Sequence, residues 1–256
     1  MSAITWTFDD IYKDVARFAG LGTSPTGDDL TLVKDIVFRG YIKFLTSTHP
    51  RTGQLYRWSF LKKQARLTTL PDVYRYNLPP DVWHVEDQFH FASQSGYPDA
   101  NKRSVDFILE QRAISDYTTY PKYFSIGYGD YDKSHIQRKQ VWFYPTPDAS
   151  YSLRYNYYFI PPKPENDGDY FIGGPEVSEA IRLCSLAVTE QEEDEQAGVM
   201  SMAAVNMVNQ LIRADEVINV ADTVGPVYGI RMEDRTGVKD YIRSIQELEE
   251  VYGIET

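Results

Sequence analysis

The spacing of the apolar residues changes twice along the chain, and this feature most constrains the fold. From residue 1 to about residue 48, the apolar residues recur at helical spacing. From about residue 54 to residue 172 they alternate with polar residues, as they do in half-buried strands. After Gly173 the helical spacing returns. The sequence therefore predicts helices, then a β-rich region, then helices again.

The first region predicts two helices. Thr7 precedes the first apolar stripe, and Gly20 ends it because glycine favours the end of a helix. The second helix follows residues 24–26, Ser-Pro-Thr, and its first turn contains Asp28 and Asp29, which favour the positive end of the helix dipole. The predicted apolar faces are Phe8, Ile11, Tyr12, Val15 and Phe18, and Leu30, Leu32, Val33, Ile36, Val37, Tyr41, Phe44 and Leu45.

The middle region predicts a small, mostly antiparallel β domain. Alternating apolar residues are separated by turn residues such as Pro79-Pro80. A short helix is predicted over residues 104–117. The sequence Pro-Thr-Pro-Asp at residues 145–148 is predicted to join two strands as a hairpin turn. The strand candidates lie near residues 58–70, 74–78, 82–91, 123–128, 140–144 and 151–160.

The last region returns to helices. Pro175 suits the first position of a helix, and Glu176 and Glu179 favour its positive end. A break is predicted within residues 194–198, followed by a second helix. Residues 219–237 are predicted to be loop-like, with a short helix after them. The apolar positions of the two main helices are Val177, Ala180, Ile181, Leu183, Cys184 and Val188, and Met200, Ala204, Met207, Val208, Leu211 and Ile212.

These patterns predict an α+β fold with three parts. Neither helical part is large enough to bury its own apolar face, so residues 1–53 and 174–218 are expected to pack into one discontinuous helical bundle. Residues 56–172 are expected to form a mostly antiparallel β insertion in that bundle. Residues 219–256 are expected to form a C-terminal arm and a short helix.

Charge and cysteine content narrow the function classes. The chain has 37 acidic and 26 basic residues and a net charge of -11, which argues against tight binding to a phosphate backbone. A single cysteine, Cys184, excludes an internal disulfide and fits assembly in a reducing cytoplasm. Neither a signal peptide nor a run of about 18 apolar residues is recognisable, so we expect no membrane association.

No motif with the spacing of a catalytic, metal or cofactor site is present. The histidines His49, His84, His90 and His135 form no pair at metal-ligand spacing, and neither a nucleophile elbow nor a phosphate-binding glycine loop occurs. The sequence therefore predicts a protein that is not an enzyme and that needs no cofactor or metal.

The sharpest charge feature is an acidic run at residues 190–195. Glu190, Glu192, Glu193 and Glu195 do not converge as the ligands of a fixed site would, because a helix distributes them over different faces. The run is expected to be a solvated helix end or a negative surface that faces a channel for DNA.

The order of elements and several short strings resemble the head-to-tail connector, or adaptor, proteins of tailed bacteriophages. An N-terminal helix pair is followed by a β region that contains the short sequence motifs and then by two helices. The strings are Trp58-Ser59-Phe60-Leu61, Thr68-Thr69-Leu70-Pro71, Tyr76-Asn77-Leu78-Pro79-Pro80-Asp81, Val141-Trp142-Phe143-Tyr144-Pro145-Thr146-Pro147-Asp148 and Tyr155-Asn156-Tyr157-Tyr158.

This resemblance implies a structural protein of the virion neck, assembled in the host cytoplasm. Such proteins form a homo-oligomeric ring, typically a dodecamer of about twelve subunits, between the portal protein and a tail or nozzle protein. DNA would pass through the ring without specific binding. The C-terminal segment would dock on the portal through apolar residues, namely Val220, Val224, Val227, Tyr228, Ile230 and Met232.

Three other functions remain open on the sequence. The chain could be another phage neck or tail protein, of the tail-tube or terminator type. It could be a carbohydrate-binding or receptor-binding module, since exposed Tyr and Trp side chains stack on sugars. A hydrolase within the β region is a third alternative, although no motif supports it.

Overall fold

A computed structural model describes residues 4–92, 96–131, 133–134, 137–194 and 198–228; for residues 193–194 and 218–228 it describes the backbone alone. The chain divides into two units, Met1–Leu211 and Ile212–Thr256. The helices are α1 (Phe8–Phe18), α2 (Gly27–Leu45), α3 (Val105–Ile114), α4 (Pro175–Asp194) and α5 (Val199–Tyr228). The strands are β1 (Lys62–Thr68), β2 (Arg75–Asn77), β3 (Val82–Phe91), β4 (Ala100–Lys102), β5 (Tyr123–Tyr128), β6 (Lys139–Tyr144) and β7 (Ser152–Phe159).

The first helix begins where Thr7 was predicted to precede it. The backbone N–H of Asp10 donates to Oγ1 of Thr7 at 3.2 Å, and the backbone N–H of Thr7 donates to Oδ2 of Asp10 at 3.0 Å. These reciprocal bonds form a capping box, which gives partners to backbone groups that a helix start leaves unpaired. After the helix ends, Gly20 adopts a φ of 71°, which glycine tolerates without strain.

The apolar stripes of α1 and α2 are buried largely as predicted. The buried residues of α2 are Val33, Ile36, Val37, Gly40, Tyr41, Phe44 and Leu45. Two predicted core positions are wrong, because Phe18 is 40% exposed and Leu32 is 47% exposed. Both residues lie at the edge of the stripe of their helix.

Helices α1, α2 and α4 contact one another within the first unit. Helices α2 and α4 approach closely at Gly40 of α2, where a Cβ atom would lie 2.6 Å from the backbone Cα of Ser185 in α4. Only glycine permits this distance. The arrangement of all the helices as one bundle stays a prediction, as do the predicted domain boundaries.

The seven described strands form one curled sheet in the order β1-β7-β3-β4-β5-β6-β2. All pairings are antiparallel except that of β4 with β5. Aromatic rings fill the covered side: the ring centroid of Phe89 lies 4.6 Å from those of Phe124 and Tyr155 and 5.4 Å from that of Phe143. The α+β class predicted from the sequence is therefore confirmed.

The predicted hairpin between β6 and β7 is wrong. Strand β6 pairs with β5 and β2, whereas β7 pairs with β1 and β3. The connecting segment uses its carbonyl groups elsewhere, since Thr146 O accepts from Thr119 N at 3.0 Å and Pro147 O accepts from Asp72 N at 2.9 Å. Its prolines have no N–H groups for a ladder. The segment therefore crosses between strands that are not neighbours.

Helix α5 extends further than the sequence indicates. Residues 219–228 were expected to begin a loop-like arm, but the structure continues the helix to Tyr228. The breakers Gly225 and Pro226 fall in its last turn, and the residues before them include no glycine or proline. Residues 229–256, with Ile230, Met232 and the predicted final helix, lie outside the described residues.

Candidate docking surfaces

In the described part of the chain, no group of three or more His, Cys, Asp or Glu side chains could hold a metal ion. Nδ1 of His49 accepts the backbone N–H groups of Arg51 and Thr52 at 3.1 and 3.2 Å, as expected for a turn. Nδ1 of His90 lies 2.8 Å from Oδ2 of Asp99. His135 lies outside the described residues. Of the helices searched over the described residues, none has the length and apolar character to cross a membrane.

Cys184 is a small core residue, as predicted. It is 2% exposed, and burial raises the pKa of its thiol to about 11, so the reactive thiolate is disfavoured.

A cavity of about 590 Å³ lies between Tyr41 and the proline-rich segment 161–172. Its carboxylate Asp169 accepts the backbone N–H groups of Glu165 and Asn166 at 2.9 and 2.8 Å, and these bonds lower the pKa of Asp169. This carboxylate therefore holds a turn closed, and the cavity lining contains no nucleophile paired with a base.

Glu190, the first residue of the acidic run, is buried and does not lie on an exposed acidic surface of the described part of the chain. Its carboxylate accepts the backbone N–H groups of Gly198 at 3.0 Å, Met200 at 3.1 Å and Ser201 at 2.9 Å. Burial alone would raise the pKa of Glu190, but the N–H donors outweigh burial and lower it. Glu190 therefore caps the start of α5, which otherwise leaves N–H groups without partners.

Glu192, unlike Glu190, lies at a partly exposed position in the acidic run. The carboxylate of Glu192 forms a two-point contact with the guanidinium of Arg39, and both side chains are partly exposed. Oε1 of the neighbouring Gln191 accepts from Nζ of Lys43 at 3.3 Å. These contacts tie the end of α4 to α2. The side chains of Glu193 and Glu195 lie outside the described residues, so the role of the run as a channel surface stays a prediction.

The change Glu190→Gln is expected to lower the melting temperature at neutral pH, because an amide has one acceptor oxygen and no charge for three N–H donors. The stabilisation by the wild-type carboxylate is present above its ordinary pKa of 4.5 and is lost as pH falls through the lowered pKa of the folded state. The gap between the two melting temperatures should therefore close in acid.

Glu192→Gln is the matched control, since it removes the same charge from a partly exposed ion pair. Exposed pairs contribute only about 0–1 kcal/mol, so its melting temperature should change little. Equal effects of the two changes, or a gap for Glu190→Gln that stays constant in acid, would contradict the capping role.

An exposed apolar surface lies at one end of the sheet, where β1, β3 and β6 end and β5 and β7 begin. We call it the sheet tip. Its large apolar side chains come from three different connections between strands, each is at least 36% exposed, and one is 79% exposed. They are Leu70, Val73, Tyr97, Ile114 and Tyr117. Exposed apolar surface that is drawn from several segments is typical of a site for protein contact.

Hydrogen bonds hold these connecting segments together. The backbone bonds of Asp72 to Pro147 and of Thr119 to Thr146 tie two of these connections to the segment between β6 and β7. The ring of Tyr97 stacks on that of Tyr120 at 4.5 Å and meets that of Tyr151 edge-on at 5.5 Å. A surface fixed in this way loses little conformational entropy when a partner binds, which favours docking.

A second apolar surface lies on the first two turns of α5. Val199, Met202 and Val205 are exposed by 66%, 62% and 57%. Their spacing of three residues keeps them near one side of the helix. This stripe faces solvent in the described part of the chain.

The outer side of the sheet carries basic residues, although the chain as a whole is acidic. Arg66 of β1 lies directly opposite Arg154 of β7, and Arg154 lies opposite His90 of β3. Residues opposite each other in antiparallel strands share a face of the sheet, so the three side chains form one row. Arg57 and His84 lie beside this row at a polar cavity of about 360 Å³, whose lining also includes the acidic residues Glu86 and Asp87.

Exposed apolar surfaces of this kind are typical of proteins that contact other proteins. The model of the SU10 adaptor protein family matches residues 6–225 of the chain. The chain therefore belongs to this family of phage head-to-tail adaptor proteins, which are structural proteins, and the resemblance noted in the sequence is confirmed. No curated protein matches the chain.

Proposed function

We propose that this adaptor forms a ring of about twelve subunits that joins the portal of the capsid to a tail or nozzle protein in the virion neck. The family match over residues 6–225 carries the proposal. The sheet tip and the apolar stripe of α5 support it, because a subunit between two other proteins needs more than one contact surface.

The proposed ring is built around a helical bundle. Residues 1–53 and 174–218 form this bundle, and the β region of residues 56–172 is inserted in it. The contacts among α1, α2 and α4 support this arrangement. Assembly takes place in the host cytoplasm before the head and the tail are joined.

DNA passes through the ring without being bound. The net charge of -11 supports this role, because a negative wall repels a polyanion. The acidic run is the proposed source of that wall through Glu193 and Glu195, and through Glu192, whose partly exposed carboxylate also contacts Arg39. Glu190 is left out of this set because its carboxylate already binds the start of α5.

Negative-stain electron microscopy of the purified protein, with and without the portal protein of the same virus, tests the proposal. Rings that stack on the portal particle along its axis are the expected result. A protein that stays monomeric and does not bind the portal would contradict it, as would binding to the side of the portal.

The C-terminal segment, residues 219–256, is the proposed docking arm for the portal. Its apolar residues, Val220, Val224, Val227, Tyr228, Ile230 and Met232, would gain burial against a partner. Deleting residues 219–256 should leave the melting temperature unchanged and abolish portal binding. A shorter deletion of residues 229–256 leaves α5 complete. Comparing the two deletions therefore separates the contribution of the helical part of the arm to portal binding from that of the remaining residues.

Two results would contradict the docking arm. If the segment covers the protein's own core, deletion will lower the melting temperature or make the protein insoluble. A stable truncated protein that binds the portal with unchanged affinity would show that the arm takes no part in docking.

A further inference from the structure

We propose that the outer side of the sheet docks on helix α2 of a second copy of this chain, as the contact between neighbouring subunits. The basic face, as we name it, consists of Arg57, Lys62, Arg66, His90 and Arg154. Its partner is the acidic stripe of α2, which consists of Asp28, Asp29, Leu32 and Asp35. This inference rests on the proposed ring and names the surfaces that would close it.

The row of like charges on the basic face is unfavourable in a single subunit. Arg66 and Arg154 are paired directly across antiparallel strands, where like charges destabilise a sheet. In the described part of the chain neither arginine forms a salt bridge, and the buried Nε of Arg154 has no hydrogen-bond partner. His90, opposite Arg154, is held by Asp99. An incoming carboxylate would neutralise the row.

The acidic stripe of α2 has the complementary charge. Asp28, Leu32 and Asp35 are four and then three residues apart, so they lie along one face of the helix. All members of the stripe are exposed. Among the described residues, Asp28, Asp29 and Asp35 have no salt-bridge partner in their own subunit. The carboxylates are thus free to bind another subunit.

Each surface also has an apolar part. Leu32 is 47% exposed between the aspartates of α2. On the other surface, Leu55 is 41% exposed and lines a small cavity with Arg57 and Tyr158. Contact between the two would remove apolar side chains from water together with the charges, which gives an interface an apolar centre and a polar rim.

Charge also determines the kind of contact. Two basic faces repel each other, so a symmetric dimer through this surface is disfavoured. Contact of the basic face of one copy with the acidic stripe of the next is head-to-tail, and a repeated head-to-tail contact closes into a ring when the rotation permits. DNA is the less suitable partner, because the net charge of -11 repels a phosphate backbone at long range.

Charge reversal tests the contact. The double variant Arg66→Glu/Arg154→Glu should associate at least about tenfold more weakly than the wild type in analytical ultracentrifugation, because each interface charge is now repelled by α2. Lys133→Glu/Arg138→Glu is the matched control, since it changes the net charge equally at two exposed residues elsewhere. Circular dichroism melting checks that each variant is folded.

A charge swap identifies the partner surface. Asp28→Arg/Asp35→Arg should also weaken association about tenfold, and the combination of these changes with Arg66→Glu/Arg154→Glu in one chain should restore it. The inference is overturned if Arg66→Glu/Arg154→Glu assembles like the wild type, or if the combined charge swap does not restore assembly. It is overturned in favour of a nucleic-acid site if Arg66→Glu/Arg154→Glu still forms rings but no longer binds duplex DNA at physiological salt.

The outcomes separate this inference from the proposed function. If the wild type forms no ring with or without the portal, the proposed function itself fails. If the wild type and both charge variants form the same rings, the ring stands and only the proposed contact fails.

Discussion

Replacing Gly40 with alanine is expected to destabilise the protein by about 2–4 kcal/mol. A Cβ at this position would lie 2.3 Å from Oγ, 2.6 Å from Cα and 2.7 Å from N of Ser185. The last two are backbone atoms and cannot rotate away, so α2 and α4 must move apart. The direction of the change in stability is informative, because alanine in place of glycine inside a helix otherwise stabilises the helix by about 1 kcal/mol.

Urea unfolding, followed by circular dichroism, measures this effect. The double variant Gly40→Ala/Ser185→Ala removes the Oγ contact but leaves the two backbone contacts, so most of the loss should remain. A Gly40→Ala protein that is as stable as the wild type would contradict the close approach of α2 to α4.

Trp58→Ala is expected to cost about 3–5 kcal/mol, as for other large aromatic side chains removed from a core. Trp58 is 1% exposed. Its ring centroid lies 4.6 Å from that of Phe44 in α2, 4.9 Å from that of Tyr56 and 5.7 Å from that of Phe60. Trp58 therefore joins α2 to the segment that leads into the sheet, and its removal leaves a cavity between them.

Trp58→Phe is the informative comparison, and its cost should be clearly smaller. Nε1 of Trp58 has no hydrogen-bond partner in the described part of the chain, so phenylalanine loses ring area but no hydrogen bond. Thermal unfolding of both variants tests this junction. Equal losses for alanine and phenylalanine would contradict it, as would a loss below about 1 kcal/mol for alanine.

The local elements could be predicted because their causes lie within a few residues. The capping box needs Thr7 and Asp10, which are three positions apart. Strand β3 needs the composition and alternation of residues 82–91, and the observed strand has those bounds. Pairing between strands is different, because alternation specifies which residues share a face but not which strand is adjacent. The hairpin predicted at residues 145–148 failed for this reason.

The contact surfaces depend on residues that are distant in sequence. The sheet tip collects side chains from three connections between strands, and none of these connections is unusual on its own. The pairing of Arg66 with Arg154 depends on the register of β1 on β7, which the sequence does not specify. Arginines on the polar side of two alternating strands were a usable sign of the basic face, once the register of β1 on β7 was known.

The acidic run shows the same limit for a functional residue. A run of carboxylates at the end of a helix indicates a solvated surface in most chains. Here Glu190 points to the start of α5, and its three donors lie 8 to 11 residues further along the chain. The predicted break at residues 194–198 was the available signal, because a chain that turns back there can place a carboxylate at the next helix start.

The role that we propose for the protein is to join the head of the virion to its tail. Electron microscopy of lysates from cells infected with virus that lacks this chain tests that role. Capsids and tail structures should be present but not connected, and supplying the chain in the same cells should restore the connection. Complete tailed particles in the absence of the chain would show that the protein does not join the head to the tail.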